Sequence, residues 1–153
     1  MAKSKPYLRA ALICERVMEE KDRVLTAFRI VDNFNVNMPP GPLPPNAAMS
    51  LVVLLSWRQG GDDDREFKHE VSLNLHTPSG APTTAIVDGA PVENPRASFV
   101  FSDTVNAANL IFNLGLPVKE FGKFWFDVIL DGEQVTRIPF ELIRPKPESA
   151  PAN

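Results

Sequence analysis

Apolar and polar residues alternate along several short stretches of the chain, as expected for β-strands that are buried on one face. The clearest stretch covers 67–76, and its inward-facing set is Phe67, His69, Val71, Leu73 and Leu75. Residues 50–57 are instead apolar at nearly every position, which is typical of a central strand or of one with an outward apolar patch. Turn signals separate these stretches. We therefore predict an all-β fold of about nine strands, a two-sheet antiparallel β-sandwich resembling immunoglobulin-like folds.

A hairpin is predicted within 121–143, where two β-rich stretches flank Asp131 and Gly132. The apolar residues of both stretches occupy even-numbered positions. A two-residue turn would pair even positions with odd ones and would bury Arg137 beside Phe126. Since a slip of one residue turns a strand inside out, we predict a three-residue or bulged turn.

The opposite face of this hairpin is the predicted interaction surface. It comprises Trp125, Asp127, Arg137 and Pro139. The even pairing places Trp125 and Asp127 near Arg137, which favours an ion pair or a cation–π contact. Pro139 lacks the N–H that a strand ladder needs, so it indicates an edge or a bulge in the last strand.

The first part of the chain is ambiguous, because residues 7–20 fit either a strand or a helical stripe. We predict a strand as far as Cys14, a short helical turn over 15–20 and a chain reversal at 21–23. A long strand over 24–36 follows, with a bulge or a sheet edge near Asp32.

Length and proline content suggest one domain with loose ends. A chain of 153 residues is large enough to bury a core without disulfides or metals. Prolines concentrate in 38–45, which predicts a stiff connection between strands, and again in the tail. The predicted organisation is a loose N-terminus at 1–6, a β-sandwich domain at 7–143 and a disordered, proline-rich tail at 144–153.

The net charge and the hydropathy of the chain indicate where the protein is expected to act and which classes of partner it is not expected to bind. The net charge of −3 and the lack of a basic stripe argue against nucleic-acid binding. The longest strongly apolar run, 51–55, is too short to span a bilayer, so no membrane association is expected. The N-terminus has no signal-peptide pattern, and a lone cysteine, Cys14, excludes an internal disulfide. A cytoplasmic location is expected.

Two parts of the sequence resemble a known family. The first part reads PYLRAALICERV at 6–17 and VLTAFRIVD at 24–32, and the second reads FWFDV at 124–128 and RIPF at 137–140. These segments are similar to a family of small bacterial proteins classed as a domain of unknown function. The resemblance covers most of 6–143 and is weakest in the middle. It implies a β-sandwich of this size and no known reaction, cofactor or catalytic residue.

The residues with reactive or metal-binding side chains do not form a convincing catalytic set. Cys14 would need a histidine base to act as a nucleophile, and a lone cysteine in an apolar strand is usually a buried small hydrophobe. His69 and His76 are an odd number of positions apart, so they face opposite sides of one strand and do not share a metal. The aspartates of 62–64 fit either a calcium-binding loop or a solvated turn.

Two further sets of residues are candidates for ligand binding or catalysis. Trp57 and Trp125 are the residues with faces large enough for a sugar platform, and Asp103, Glu120 and Asp127 would form an acidic cleft only if the fold brought them together. No nucleotide-binding, nucleophile-elbow or zinc motif is present.

We therefore expect no enzymatic activity and no cofactor. The leading hypothesis is a non-catalytic protein-interaction or adaptor module, which binds a protein partner or a second copy of itself through a sheet edge or an outward apolar face. The candidate surfaces are the one around Trp125 and a second patch of Leu51, Val53 and Leu55. The alternative is a ligand-binding β-sandwich, specific for calcium or a carbohydrate, that is accessory to an enzyme.

Overall fold

The computed structural model describes residues 4–22, 24–38, 40–61 and 64–145, and these residues form twelve β-strands and no α-helix. The strands are β1 (Tyr7–Glu19), β2 (Leu25–Ile30), β3 (Asn33–Asn35), β4 (Ala48–Arg58), β5 (Lys68–His76), β6 (Pro82–Thr83), β7 (Ala85–Val87), β8 (Ala90–Val92), β9 (Arg96–Val100), β10 (Ala107–Pro117), β11 (Gly122–Leu130) and β12 (Glu133–Ile143). The all-β prediction is confirmed. The expected number of strands was too low, because the strand predicted over 24–36 is two strands and because 82–92 contains three short ones.

The strands form two sheets. The first sheet has the order β2-β1-β4-β10-β7-β8, and the second has the order β3-β12-β11-β5-β6, with β9 also paired to β5. Inner residues of both sheets, such as Leu55 and Phe126, belong to one hydrophobic core, so the arrangement is sandwich-like. The pairing is antiparallel except between β12 and the short β3, which run parallel. The immunoglobulin-like strand order stays a prediction.

Residues 7–19 form one continuous strand, and the helical turn predicted over 15–20 is wrong. The second half of β1 pairs with β2, for example Val17 with Ala27. The predicted reversal is present at Lys21 and Asp22, where Asp22 Oδ1 accepts a hydrogen bond from the backbone N–H of Val24 at 3.1 Å. This local turn brings the two segments together. Hairpin pairing therefore satisfies the backbone groups that a helix would have satisfied internally.

The predicted long strand over 24–36 is two strands in different sheets. β2 ends at Ile30 at the edge of the first sheet, and β3 begins at Asn33 at the edge of the second. The predicted sheet edge near Asp32 is confirmed, because the chain crosses between the sheets there. The proline-rich connection follows β3 and leads to β4.

The β11–β12 hairpin contains the predicted bulge. Leu130 is opposite Glu133, so the turn itself has two residues, Asp131 and Gly132, both with positive φ (48° and 86°). The register shifts beyond Ile129, and Val128 pairs with Thr136, which leaves Val135 as the extra residue. The bulge restores the pairing of even positions with even positions.

The last strand is open on one side at Pro139. This residue pairs with Trp125 of β11, and β3 pairs with β12 only over Glu141–Ile143. Within the described part of the chain, Pro139 therefore occupies an edge segment, as predicted from its missing N–H. The ends of the chain at 1–3 and 146–153 lie outside the described residues, so the predictions of a loose start and a disordered tail stay predictions there.

Candidate functional site

The predicted cluster around Asp127 is present on the outer face of the second sheet. The Asp127 side chain is only 9% exposed. It accepts hydrogen bonds from Arg137 Nε at 2.8 Å and from Gln134 Nε2 at 3.2 Å, and its second oxygen lies 3.2 Å from His76 Nε2. The predicted ion pair is therefore confirmed, and a buried carboxylate has partners on both of its oxygens.

The Trp125 ring is enclosed by its neighbours. His76 of β5 stacks on it at 5.0 Å between centroids and 8° between planes, while the Arg137 guanidinium of β12 lies 4.8 Å from its centroid. Because β5 and β12 flank β11 on opposite sides, both faces of the indole are covered. This arrangement confirms the predicted cation–π contact. It leaves no free aromatic face for a sugar to stack on.

A second polar cluster, centred on His69, was only partly foreseen. The sequence predicted a partly buried, hydrogen-bonded histidine, and His69 is 7% exposed. Its Nε2 lies 2.6 Å from Asp64 Oδ1 and its Nδ1 lies 2.7 Å from Asp131 Oδ2. Ionised carboxylates only accept hydrogen bonds, so this geometry fits a ring that donates from both nitrogens. We call the three residues the Asp64–His69–Asp131 clamp.

The clamp ties three parts of the chain together. Asp64 belongs to the loop before β5 and is 2% exposed, and Asp131 belongs to the β11–β12 turn. Asp131 Oδ1 also accepts a hydrogen bond from the backbone N–H of Glu70 at 2.9 Å. Sequence spacing did not reveal these partners, because the turn is 62 residues away from the histidine. The only local signal was a histidine at an otherwise apolar position.

A groove of about 580 Å³ lies beside the clamp, which is within the size range of small-molecule sites. Both acidic and basic side chains line it, including Lys68, Asp131 and Glu133, together with the half-exposed Phe67. Both ring nitrogens of His69 are bonded to carboxylates, so neither is free to act as a general base on a ligand in the groove. Among the described residues, no group of three or more histidine, cysteine, aspartate or glutamate side chains could hold a metal ion.

The outer face of the first sheet is apolar along its centre. Leu54 of β4 lies between Leu12 of β1 and Ile111 of β10, and Val52 lies between Cys14 and Asn113. Val52 and Leu54 are 5% and 8% exposed although they are not part of the shared core. We call Leu12, Cys14, Val52, Leu54 and Ile111 the outer apolar face.

The prediction of an outward patch on β4 named the wrong residues. Leu51, Val53 and Leu55 were expected to form an outward patch, but they are at most 1% exposed and belong to the core between the sheets. The alternation of side chains places their neighbours outward instead. The sequence could not choose between the two parities, because both sets of residues in β4 are apolar.

The other candidates are separated in the structure. Trp57 is fully buried in the core. Asp103 pairs with Arg65 at 2.8 Å, and Glu120 lies 3.5 Å from the Ser79 hydroxyl. Neither shares a partner with Asp127, so these contacts give no support for the proposed acidic cleft. Of the aspartates considered for calcium, those at 62 and 63 lie outside the described residues.

Cys14 is fully buried, and burial raises the pKa of its thiol above the ordinary value of 9.0. Because the thiolate is the reactive form, we expect Cys14 to react with iodoacetamide at pH 8 at least about tenfold more slowly in the folded protein than in urea. Mass spectrometry of the labelled protein gives both rates. Equal rates would show that the thiol is accessible and would reopen its reading as a nucleophile.

Burial of this thiol also predicts a pH effect. The unfolded chain loses the thiol proton at a lower pH than the folded protein does, so the contribution of Cys14 to stability is complete below pH 9.0 and falls as the pH rises further. We expect the stability difference between wild type and Cys14→Val to shift in favour of the variant between pH 8 and pH 10. Urea titrations at both pH values measure it.

The family of the chain follows from comparison with known sequences. Across the described residues, no helix is both long and apolar enough to cross a bilayer. A search of curated proteins gave no match to the chain. A family model matches residues 9–143 and so includes both polar clusters and the outer apolar face. The chain therefore belongs to DUF6941, a family of unknown function.

Proposed function

We propose that this protein is a non-catalytic protein-interaction module that binds its partner through the outer apolar face. The observation that supports this is the composition of that face, where apolar residues of three adjacent strands are in register. Contiguous exposed apolar patches mark interaction sites. The accessible part of this face is at Leu12 and Ile111, since Cys14, Val52 and Leu54 are nearly covered by their neighbours. Ile111 is 40% exposed on this face and Ile30, at the sheet edge, is 58% exposed.

The outer face of the second sheet is more polar and therefore less suited to this role. Its outward positions are mainly polar, including Lys68, Glu70, Asn74 and Asp127. In the predicted surface around Trp125, the Asp127 carboxylate and the indole ring find their contacts within the domain, although the buried Trp125 Nε1 has no hydrogen-bond partner among the described residues. The Arg137 side chain remains 53% exposed, so this surface is a second, weaker candidate. We further propose that the module acts in a bacterial cytoplasm, supported by the family resemblance and the single cysteine.

Affinity capture with matched variants tests this function. We expect Ile111→Asp to lose a partner that wild type retains, because a carboxylate in the contact must be desolvated. Val135→Asp is the control, since Val135 is equally exposed (42%) but lies in the second sheet. Both variants must first show wild-type melting temperatures. A partner that survives Ile111→Asp and is lost with Arg137→Gln would move the interaction to the second sheet.

The alternative is a ligand-binding domain, and the groove beside the clamp is the observation that favours it. A ligand that binds the folded state raises its melting temperature by mass action. Melting curves with calcium, with a chelator and with a panel of sugars address this reading. We expect no shift with any of them. A reproducible rise that Lys68→Ala removes would favour a ligand in the groove.

A further inference from the structure

Among the described residues, β10 has a long edge that no other strand pairs with. On one side it pairs with β4 along its whole length. On its other side it pairs with β7 at a single position, Gly115 opposite Ile86. A side chain at Gly115 would meet Ile86 Cβ at 2.9 Å, so the glycine is what allows this approach. In the described part of the chain, no strand pairs with this side of β10 over 107–113.

The direction of each backbone group on this edge follows from the ladder with β4. The N–H of Gln59 donates to the carbonyl of Asn106, and the N–H of Val118 donates to the carbonyl of Ala47. Both are directly opposed, hydrogen-bonded pairs, and their residues Asn106 and Val118 occupy the even positions that flank β10. Since such pairs alternate with non-hydrogen-bonded ones, the even residues bond to β4 and the odd residues point their backbone groups away from it. The outward set is Ala107, Asn109, Ile111 and Asn113.

Several other edge segments, including the open part of β12 with its Pro139, carry features that discourage pairing, and this edge does not. Proline interrupts β6 and β8, and β9 begins with an arginine. The edge strand β2 contains Arg29 with a φ of 52°, which breaks the regular strand geometry. By contrast, 107–113 reads AANLIFN and has neither a charge nor a proline. Proteins normally protect a long edge of this kind, because it is a template for another strand.

A groove of about 430 Å³ borders the open edge. One wall is formed by residues of β10, including Ile111 and Phe112. The opposite wall is formed by β7, β8, β9 and the loops that connect them, and it includes Val92, Pro95 and Ala97 together with the charged Asp88 and Arg96. A strand added to β10 would therefore place alternate side chains into this partly apolar groove. Its remaining side chains would extend the outer apolar face.

We propose that the edge Ala107–Asn113 receives an extended segment of a partner protein as an added β-strand. This inference rests on the proposed interaction function and specifies its mode. Main-chain hydrogen bonds to the odd residues of β10 supply affinity, and the groove selects a segment with an apolar residue at every second position. The groove favours a single segment over the edge of a second folded copy, because the β7–β8 hairpin and β9 stand opposite β10 and restrict the approach of another sheet.

Amide hydrogen exchange provides a direct test. The probe is a synthetic peptide of alternating valine and threonine that is long enough to span 107–113, and its control carries a central proline. In the free protein we expect slow exchange at Leu110 and Phe112, and fast exchange at Asn109, Ile111 and Asn113. Added probe should protect these three odd amides at least about tenfold, while the control peptide should not.

Two pairs of variants separate the backbone from the side chain. Asn109→Pro removes one outward N–H without disturbing the ladder with β4, and Asn109→Ala keeps that N–H. We expect the Kd of the probe to rise at least about tenfold for the proline variant and to stay within about twofold for the alanine variant. Asn113→Pro and Asn113→Ala repeat the comparison, so that one misfolded variant does not remove the test.

Three outcomes would overturn the proposal. The odd amides would already be protected in the free monomer if another part of the chain covered the edge. A dimer in light scattering that Asn109→Pro dissociates would assign the edge to a second copy. No protection by the probe, together with captured partners that still depend on Ile111, would refute strand addition and leave the interaction function standing. Loss of that dependence would instead refute the interaction function itself.

Discussion

Replacing His69 with alanine is expected to lower the free energy of unfolding by about 3–5 kcal/mol. The imidazole is the hydrogen-bond partner of Asp64, whose side chain is buried (2% exposed) and whose Oδ1 lies 2.6 Å from Nε2. Without the ring, the partner that this carboxylate keeps among the described residues is the backbone N–H of Gly60, at 3.3 Å. Urea titrations followed by tryptophan fluorescence measure the change.

His76→Ala is the matched control, because His76 is the other histidine and its side chain is 21% exposed. We expect it to cost only about 1 kcal/mol, since Asp127 retains Arg137 and Gln134 as partners. Changing His69 and Asp64 together to phenylalanine and leucine should recover most of the loss, because neither charge is then left buried alone. A cost below about 1 kcal/mol for His69→Ala would show that the clamp adds little to stability.

The second large effect is expected for Arg137→Glu, which should destabilise the domain by about 2–4 kcal/mol. The substitution removes the guanidinium 2.8 Å from Asp127 and places a second carboxylate against a side chain that is 9% exposed. It also removes the cation that covers Trp125. Two of the three partners of Asp127 remain, so the loss is smaller than for an isolated buried pair. Thermal and urea unfolding both report it.

Arg137→Gln removes the ion pair with Asp127 without adding a second carboxylate. We expect this variant to lower the free energy of unfolding by about 1 kcal/mol. This distinction matters for function. Arg137 is part of the surface predicted to bind a partner, and reduced binding by Arg137→Glu would follow from destabilisation alone. Arg137→Gln, compared at equal folded fraction, is the informative variant. Wild-type stability of Arg137→Glu would contradict the structural role of this arginine.

The parts of the fold with a single clear periodicity were predictable from sequence. The inward residues of β5 from His69 to Leu75 and the parity of the last hairpin followed from alternation, and parity alone implied a bulge near Asp131. Phe67 was also expected to face inward, but it lies before β5 begins and is 44% exposed. The clamp was not predictable, because His69 contacts Asp131 only after the hairpin has folded against β5. The outer apolar face was assigned to the wrong residues, because β4 is apolar on both faces. The N-terminal strand was misread because Val17 and Met18 also fit a helical stripe, and long-range pairing decided between them.

The bulge at Val135 has a consequence for how the sequence of this hairpin can vary. One residue in β12 has no opposite residue in β11, so the strand holds one position more than the ladder requires. Loss of a single residue within 134–136 would remove the bulge and leave Asp127 opposite Arg137 and Phe126 opposite Ile138. Insertion of one residue could not be compensated in this way, because it would change the parity of β12 and direct its polar face into the core. Members of the family should therefore differ in length at this point by deletion, with every core position downstream unchanged.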